Sequence, residues 1–220
     1  MVGSWLYVTA TRHDIMQFVG YVARFQATPN NAHVQTVKRI FKYLKGTMSM
    51  DYGLWYPRGN DFILTAYTDA DWGGSADDRK STSGGAFFLG GCFVSWLSKK
   101  QAFVSLSKVE AKYIAATLCC TQIFWMKQTL KDIKVEFNHP ISIFCDYTSA
   151  INISKNPVMH SRARHIPIRY HFQREQVTNQ QVKLENVSTK EQIVDLFTKT
   201  LPKETFEFLR EKLGVVSLHH

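Results

Sequence analysis

Apolar positions along the chain fall into blocks whose period changes, and the blocks predict helix, then strands, then mixed segments. In the first 50 residues Val34, Val37, Ile40, Phe41, Tyr43 and Leu44 recur at helical spacing. Lys38, Arg39, Lys42 and Lys45 surround that face, and Gly46 ends it. Residues 52–56 and 62–68 are β-rich runs on either side of the turn sequence PRGN at 57–60. Residues 84–89 and 92–97, split by Gly90 and Gly91, read as a hairpin, so the strands here are sequential and antiparallel. A long helical stretch follows over 108–134. Ser107 with Glu110 three residues later is a capping-box pattern that marks its start, and its length predicts two consecutive helices. Further on, the pattern predicts a short buried strand at 141–146, helices at 148–154 and 166–177, and a strand at 182–187. Terminal helices at 191–198 and 203–213 complete the order, which places a mixed sheet between helices in an α/β fold.

The 220 residues, 45% of them hydrophobic, suffice for one domain or for one domain with a smaller appendage. Charge adds something the pattern does not. A net charge of +9 points to a polyanion, of which nucleic acid is the commonest. Cys92, Cys119, Cys120 and Cys145 form no Cys-x-x-Cys pair and sit in apolar surroundings, as free thiols in a reducing compartment do; a zinc site is not expected. Residues 1–25 hold no basic leader followed by a long apolar run, so no signal peptide is expected, nor any membrane span.

Four acids stand apart from the solvated majority. Asp69 and Asp146 end apolar strands, Glu110 opens a helix, and Asp195 lies between Val194 and Leu196 in an apolar helical segment. Acids at strand ends and helix starts can converge at one edge of a sheet. Converging carboxylates repel unless cations sit between them, and hard oxygen ligands suit magnesium or manganese. Each also has a plainer reading: Glu110 as the far half of a capping box, Asp69 and Asp146 as turn residues, Asp195 as a helix-surface acid.

The order and wording of the motifs are more specific. YTDADWGG (67–74), DRKSTSG (78–84), SWLSKKQ (95–101), SKVEAKY (107–113) and FCDYTSA (144–150) resemble the ribonuclease H domain of copia-type retrotransposon polyproteins. So do SKNPVMHSR (154–162), HIPIRYHF (165–172), EQIVDLFTK (191–199) and LREKLG (209–214), while VGSWLYVTATR (2–12) and LKG (44–46) resemble the end of that family's reverse transcriptase. The resemblance implies a ribonuclease H-like fold, a mixed five-stranded sheet flanked by helices with an N-terminal helical appendage. Residues 1–56 would be a remnant of the reverse transcriptase thumb or connection, 57–214 the ribonuclease H-like domain and 215–220 a tail. It implies a metal-dependent endonuclease that hydrolyses the RNA strand of RNA·DNA hybrids with two magnesium (or manganese) ions. Asp69 would bridge both ions, Asp195 would serve the ion that activates water, and Glu110 and Asp146 would complete the ion at the departing ribose oxygen. Asp71 is set aside in favour of Asp69. The implied partners are the hybrid and the rest of a reverse transcriptase, in cytoplasmic particles or the nucleus.

Lys99, Lys100 and Gln101, on the turn after Trp96, are candidates for the nucleic-acid backbone, as are Lys155, Arg162, Arg164 and Arg169. For each, a solvated basic face is the alternative. The chain departs from common family wording at His13 (proline), Lys112 (a second glutamate), Tyr147 (asparagine) and Pro167 (aspartate). Tyr147 adjoins a proposed ligand. A second function is therefore carried alongside the first: a catalytically weak or inactive hybrid-binding remnant, or a host-adopted fragment. The four acids favour the nuclease, and the short chain and Tyr147 favour the remnant. No Tyr-x-Asp-Asp polymerase signature is present.

Overall fold

The computed structural model describes residues 2–48, 51–58, 61–155 and 172–217. The chain forms two compact units, one built from residues up to Pro57 together with those from Leu201 on, the other from Arg58–Thr200.

In the first unit, helices α1 (Val2–Val8), α2 (Met16–Arg24) and α3 (Asn31–Met48) enclose Trp5, Ile15, Val19, Val22 and Ile40. The strand expected at 52–56 is the shorter β1 (Tyr52–Leu54). It joins no large sheet, and pairs antiparallel with β7 (Val215–Ser217), Tyr52 opposite Ser217. Helix α8 (Lys203–Lys212) belongs here as well. Arg210 donates to the hydroxyls of Tyr43 and Tyr52, and Tyr43 donates to the buried carboxylate of Asp14. The family resemblance groups 201–214 with the second unit, but the partners of α8 and β7 lie in the first.

The second unit has the expected α/β architecture. Strands β2 (Leu64–Ala70), β3 (Thr82–Leu89), β4 (Cys92–Lys100), β5 (Ile141–Cys145) and β6 (Val182–Asn186) form one mixed sheet in the order β4-β3-β2-β5-β6. β2, β3 and β4 are antiparallel to one another, whereas β5 runs parallel to β2 and β6 parallel to β5. The parallel pairs need crossovers, supplied by helix α4 (Lys108–Asp132) between β2's meander and β5, and by α5 (Thr148–Lys155) and α6 (Phe172–Thr178) between β5 and β6.

Helix α4 is one helix of 25 residues, where two were expected. No Gly or Pro interrupts it, and its inner face continues unbroken from Ala111 to Met126. Ala116, Cys119, Cys120 and Ile123 pack there on Leu64, Ala66, Phe87, Ile141 and Ile143. Of the helix expected at 166–177, residues 172–178 form α6, and 166–171 lie outside the described residues. The helix expected at 191–198 is only a 3-10 turn (Thr189–Glu191) and the short α7 (Asp195–Thr198). Cys119, Cys120 and Cys145 are buried free thiols. Among the described residues no helix is long and apolar enough to cross a membrane.

Helices lie on both faces of the sheet. Phe87 joins the core shared with α4. Gly84, three residues earlier on the same strand, therefore faces the other way. A Cβ built on Gly84 would stand 2.4 Å from Cγ1 of Val194 and 2.7 Å from Cγ2 of Thr198, so α7 packs directly on that bare backbone. Asp69 is the cross-strand partner of Gly84 and shares its face.

Candidate active site

β2 and β5 are parallel neighbours whose last paired residues are Tyr67 and Phe144. Two residues further along each strand stand Asp69 and Asp146, so the register sets the two acids side by side at one end of the sheet. Adjacent strands are only about 4.8 Å apart. Two carboxylates at that spacing, with the Asp69 side chain wholly buried, need positive charge between them.

That charge is Lys112. Its ammonium lies 2.7 Å from Oδ1 of Asp69 and also pairs with Oδ1 of Asp146. Its side chain is 11% exposed, and the ring of Tyr147 lies 5.6 Å from Nζ. Burial alone would lower the Lys112 pKa, but Asp69 and Asp146 hold it raised, so the group stays charged. A second cation enters from the other side of the sheet. Lys199 lies 2.9 Å from Oδ1 of Asp195, four residues before it, and 3.7 Å from Oδ2 of Asp69. Thr198 donates to the same Asp69 oxygen at 3.3 Å, and Thr189 donates to Oδ2 of Asp146 at 3.4 Å.

The carboxylates of Asp69 and Asp195 titrate in opposite senses. Burial pushes Asp69 up, but Lys112 and Lys199 outweigh it and hold its pKa below the ordinary value. Asp195 is pushed up to about 7, by burial first and by the charge of Asp69, with Lys199 only partly offsetting both.

Glu110 is elsewhere. Its N–H donates to Oγ of Ser107 at 3.2 Å and its Oε2 accepts from the N–H of Leu106 at 2.6 Å. The first is the N-cap bond of Ser107, and the second ties the carboxylate to the residue just before the cap. On an α-helix residues 110 and 112 project roughly 200° apart, and the face turned to the strand ends carries Lys112. Of the four expected acids, Asp69, Asp146 and Asp195 thus share one ion-pair network and Glu110 caps a helix. Among the described residues no three His, Cys, Asp or Glu side chains are grouped so as to hold a metal ion. As arranged, the donor set does not fit a divalent ion, because an ammonium stands between its two adjacent carboxylates. Asp71 is committed to β3, accepting from the N–H of Thr82.

Lys112 and Lys199 were not among the expected site residues. The signals for them were the lysine where a second glutamate is common, and the four-residue spacing from Asp195 to Lys199. The expected backbone contacts divide too. Lys99 and Lys100 end β4 and are not in a turn; Lys99 is exposed, whereas Lys100 pairs with Asp78 at 2.8 Å and donates to Ser75. Gln101 is buried, its amide bonded to Ser83, Ala111 and Ser105. Lys155 is exposed at the end of α5. Arg162, Arg164 and Arg169 lie outside the described residues.

No family model matches the chain. It is 41% identical over 219 residues to the retrovirus-related Pol polyprotein from transposon TNT 1-94 of Nicotiana tabacum, covering 98% of this chain and 16% of that protein. It is 37% identical over 218 residues to the retrovirus-related Pol polyprotein from transposon RE2 of Arabidopsis thaliana, covering 99% of this chain and 15% of that one. The chain therefore spans about a sixth of these curated relatives. Among solved structures, LC11-RNase H1 in complex with RNA/DNA hybrid is similar at 13% identity and a TM-score of 0.43, over 61% of this chain and 93% of that one.

Proposed function

We propose a role from one premise: the chain belongs to the copia-type retrotransposon Pol polyproteins, of which it is a region with a ribonuclease H-like fold. The role is to bind RNA·DNA hybrid without cutting it. The observation that carries this reading is the Lys112 ammonium between Asp69 and Asp146. Two-metal hydrolysis needs cations that generate hydroxide and absorb charge at the scissile phosphate. A lysine neutralises the carboxylates but offers no open coordination position, so the site keeps its charge balance and loses its chemistry. The net charge of +9, with Lys99 and Lys155 exposed, supports affinity for a polyanion.

The second reading is the active nuclease, with two magnesium or manganese ions acting on the RNA strand. It keeps one observation in its favour, the grouping of Asp69, Asp146 and Asp195 in a single network. One experiment separates the two. The chain and its Asp69→Ala variant are incubated with labelled hybrid in magnesium, manganese or chelator, and binding and cleavage are both recorded. The expected outcome is hybrid binding with no metal-dependent cleavage above the variant. Metal-dependent cleavage lost in Asp69→Ala would install the nuclease reading instead, and absence of binding would remove the hybrid as partner.

A further inference from the structure

We infer that the ammonium of Lys112 is the resident cation of the carboxylate site, that it excludes divalent ions there, and that residue 112 alone decides whether the site takes a metal. The inference rests on the reading of the site as silent and concerns what made it so. Asp69 and Asp146 each follow the last β2–β5 pair, Tyr67 and Phe144, by two residues, so the register brings both acids to the same end of the sheet. The residue that faces them from α4 is equally fixed. Ala111 and Ala115 pack against Ala70, which sets how closely α4 approaches β2 and holds the 112 position over the two acids. Glu110 cannot take over the role, since it projects from another side of the helix and is bonded into the cap.

A lysine in that position does for folding what a metal would do for the carboxylates. It supplies positive charge 2.7 Å from Asp69, donates a hydrogen bond to Asp146, and needs no ion from solution. It also bars one. A magnesium or manganese ion bound to Asp69 and Asp146 would need oxygen contacts near 2.1 Å, in the space the ammonium fills and against its charge. Lys199 serves the opposite side, between Asp195 and Asp69, and stands further from Asp69 at 3.7 Å. Lys112 is the only one of the two lysines that touches both strand-end acids. Replacing it by an acid would leave three carboxylates converging with no ammonium between them, the charge pattern that recruits a hard divalent cation.

Manganese binding to the full chain, without nucleic acid, tests this. Bound ion is read from the loss of the free Mn2+ resonance in titrations of the wild type, Lys112→Glu, Lys112→Met and the double variant Lys112→Glu/Asp146→Asn. Circular dichroism confirms that each is folded. Lys112→Glu is expected to bind manganese at least about tenfold more tightly than the wild type, and the double variant to lose that gain. Should Lys112→Glu fail to fold, Lys112→Met decides, because removing the ammonium alone is also expected to admit the ion. Saturable manganese binding by the wild type that Asp69→Asn abolishes would overturn the inference, as would folded Lys112→Glu and Lys112→Met that gain no affinity. Failure to bind hybrid, by contrast, would leave these titrations untouched and sink only the proposed function.

Discussion

A carboxylate three residues into a helix can accept from the amides that open it, and Glu110 does so through the N–H of Leu106 while Ser107 accepts from its own N–H. Both of these bonds are local, at the first turn of α4. Replacing Glu110 by alanine removes one charge-assisted bond and should lower stability by about 1 kcal/mol, the usual scale of a lost cap. The same change should leave the ion pairs of Lys112 as they are. A thermal melt gives the stability change, and manganese affinity in a Lys112→Glu background tests the second half. If Glu110→Ala abolished the manganese binding gained there, Glu110 would be a ligand after all. The family resemblance assigned the metal-ligand role to Glu110, whereas two residues make a large rotation on a helix and it is Lys112 that pairs with the strand-end acids. The motif SKVEAKY gives the presence of a carboxylate; only the helix's rotation against β2 says that Lys112 faces the strand ends.

At the scale of elements, α7 shows how a site depends on an absent side chain. Asp195 and Lys199 reach Asp69 because α7 lies on the bare backbone of Gly84. In Gly84→Ala the new methyl would stand 2.4 Å from Val194 and 2.7 Å from Thr198, so those side chains or the turn that carries them must shift. We expect destabilisation of about 1–3 kcal/mol, typical of overpacking. Loss of the Thr198 bond to Asp69 should accompany it, seen as a change in the Thr198 and Asp195 amide resonances. Unchanged resonances there would mean that α7 is not seated on β3. Much at this scale was legible. β2 through β6 follow from apolar runs and glycine turns, and the start of α4 follows from its cap. The length of α4 was not, because apolar residues surround it on nearly all sides and leave no stripe by which to judge continuity. Nor was the pairing of β1 with β7, which no local pattern encodes, since strands of three residues gain their partners only in the folded unit. Asp195 looked like a mid-helix acid because its neighbours are apolar. They are apolar because that turn is buried against the sheet.

For the whole molecule the deciding quantity is charge and where it is already spent. A net +9 gives attraction to any polyanion, yet a lysine paired within the protein releases few counterions when it meets phosphate. Lys112 and Lys199 are committed to the carboxylate site, and Lys100 to Asp78, whose pKa its bond lowers to about 2. Lys99, next to Lys100 on β4, is exposed and has no ion pair among the described residues, so the two neighbours should differ in what they contribute to binding. Hybrid affinity is expected to fall linearly with the logarithm of salt concentration. Lys99→Ala should reduce the magnitude of that slope by about 1, the value of one phosphate contact. Lys100→Ala should reduce it less, since Asp78 must lose a partner before that lysine can gain another. Anisotropy titrations of a labelled hybrid at several salt concentrations measure both slopes. Equal losses at the two positions would mean that the Lys100–Asp78 pair opens freely on binding. No loss at either would take this end of β4 out of the nucleic-acid surface and leave the attraction to the basic residues elsewhere in the chain.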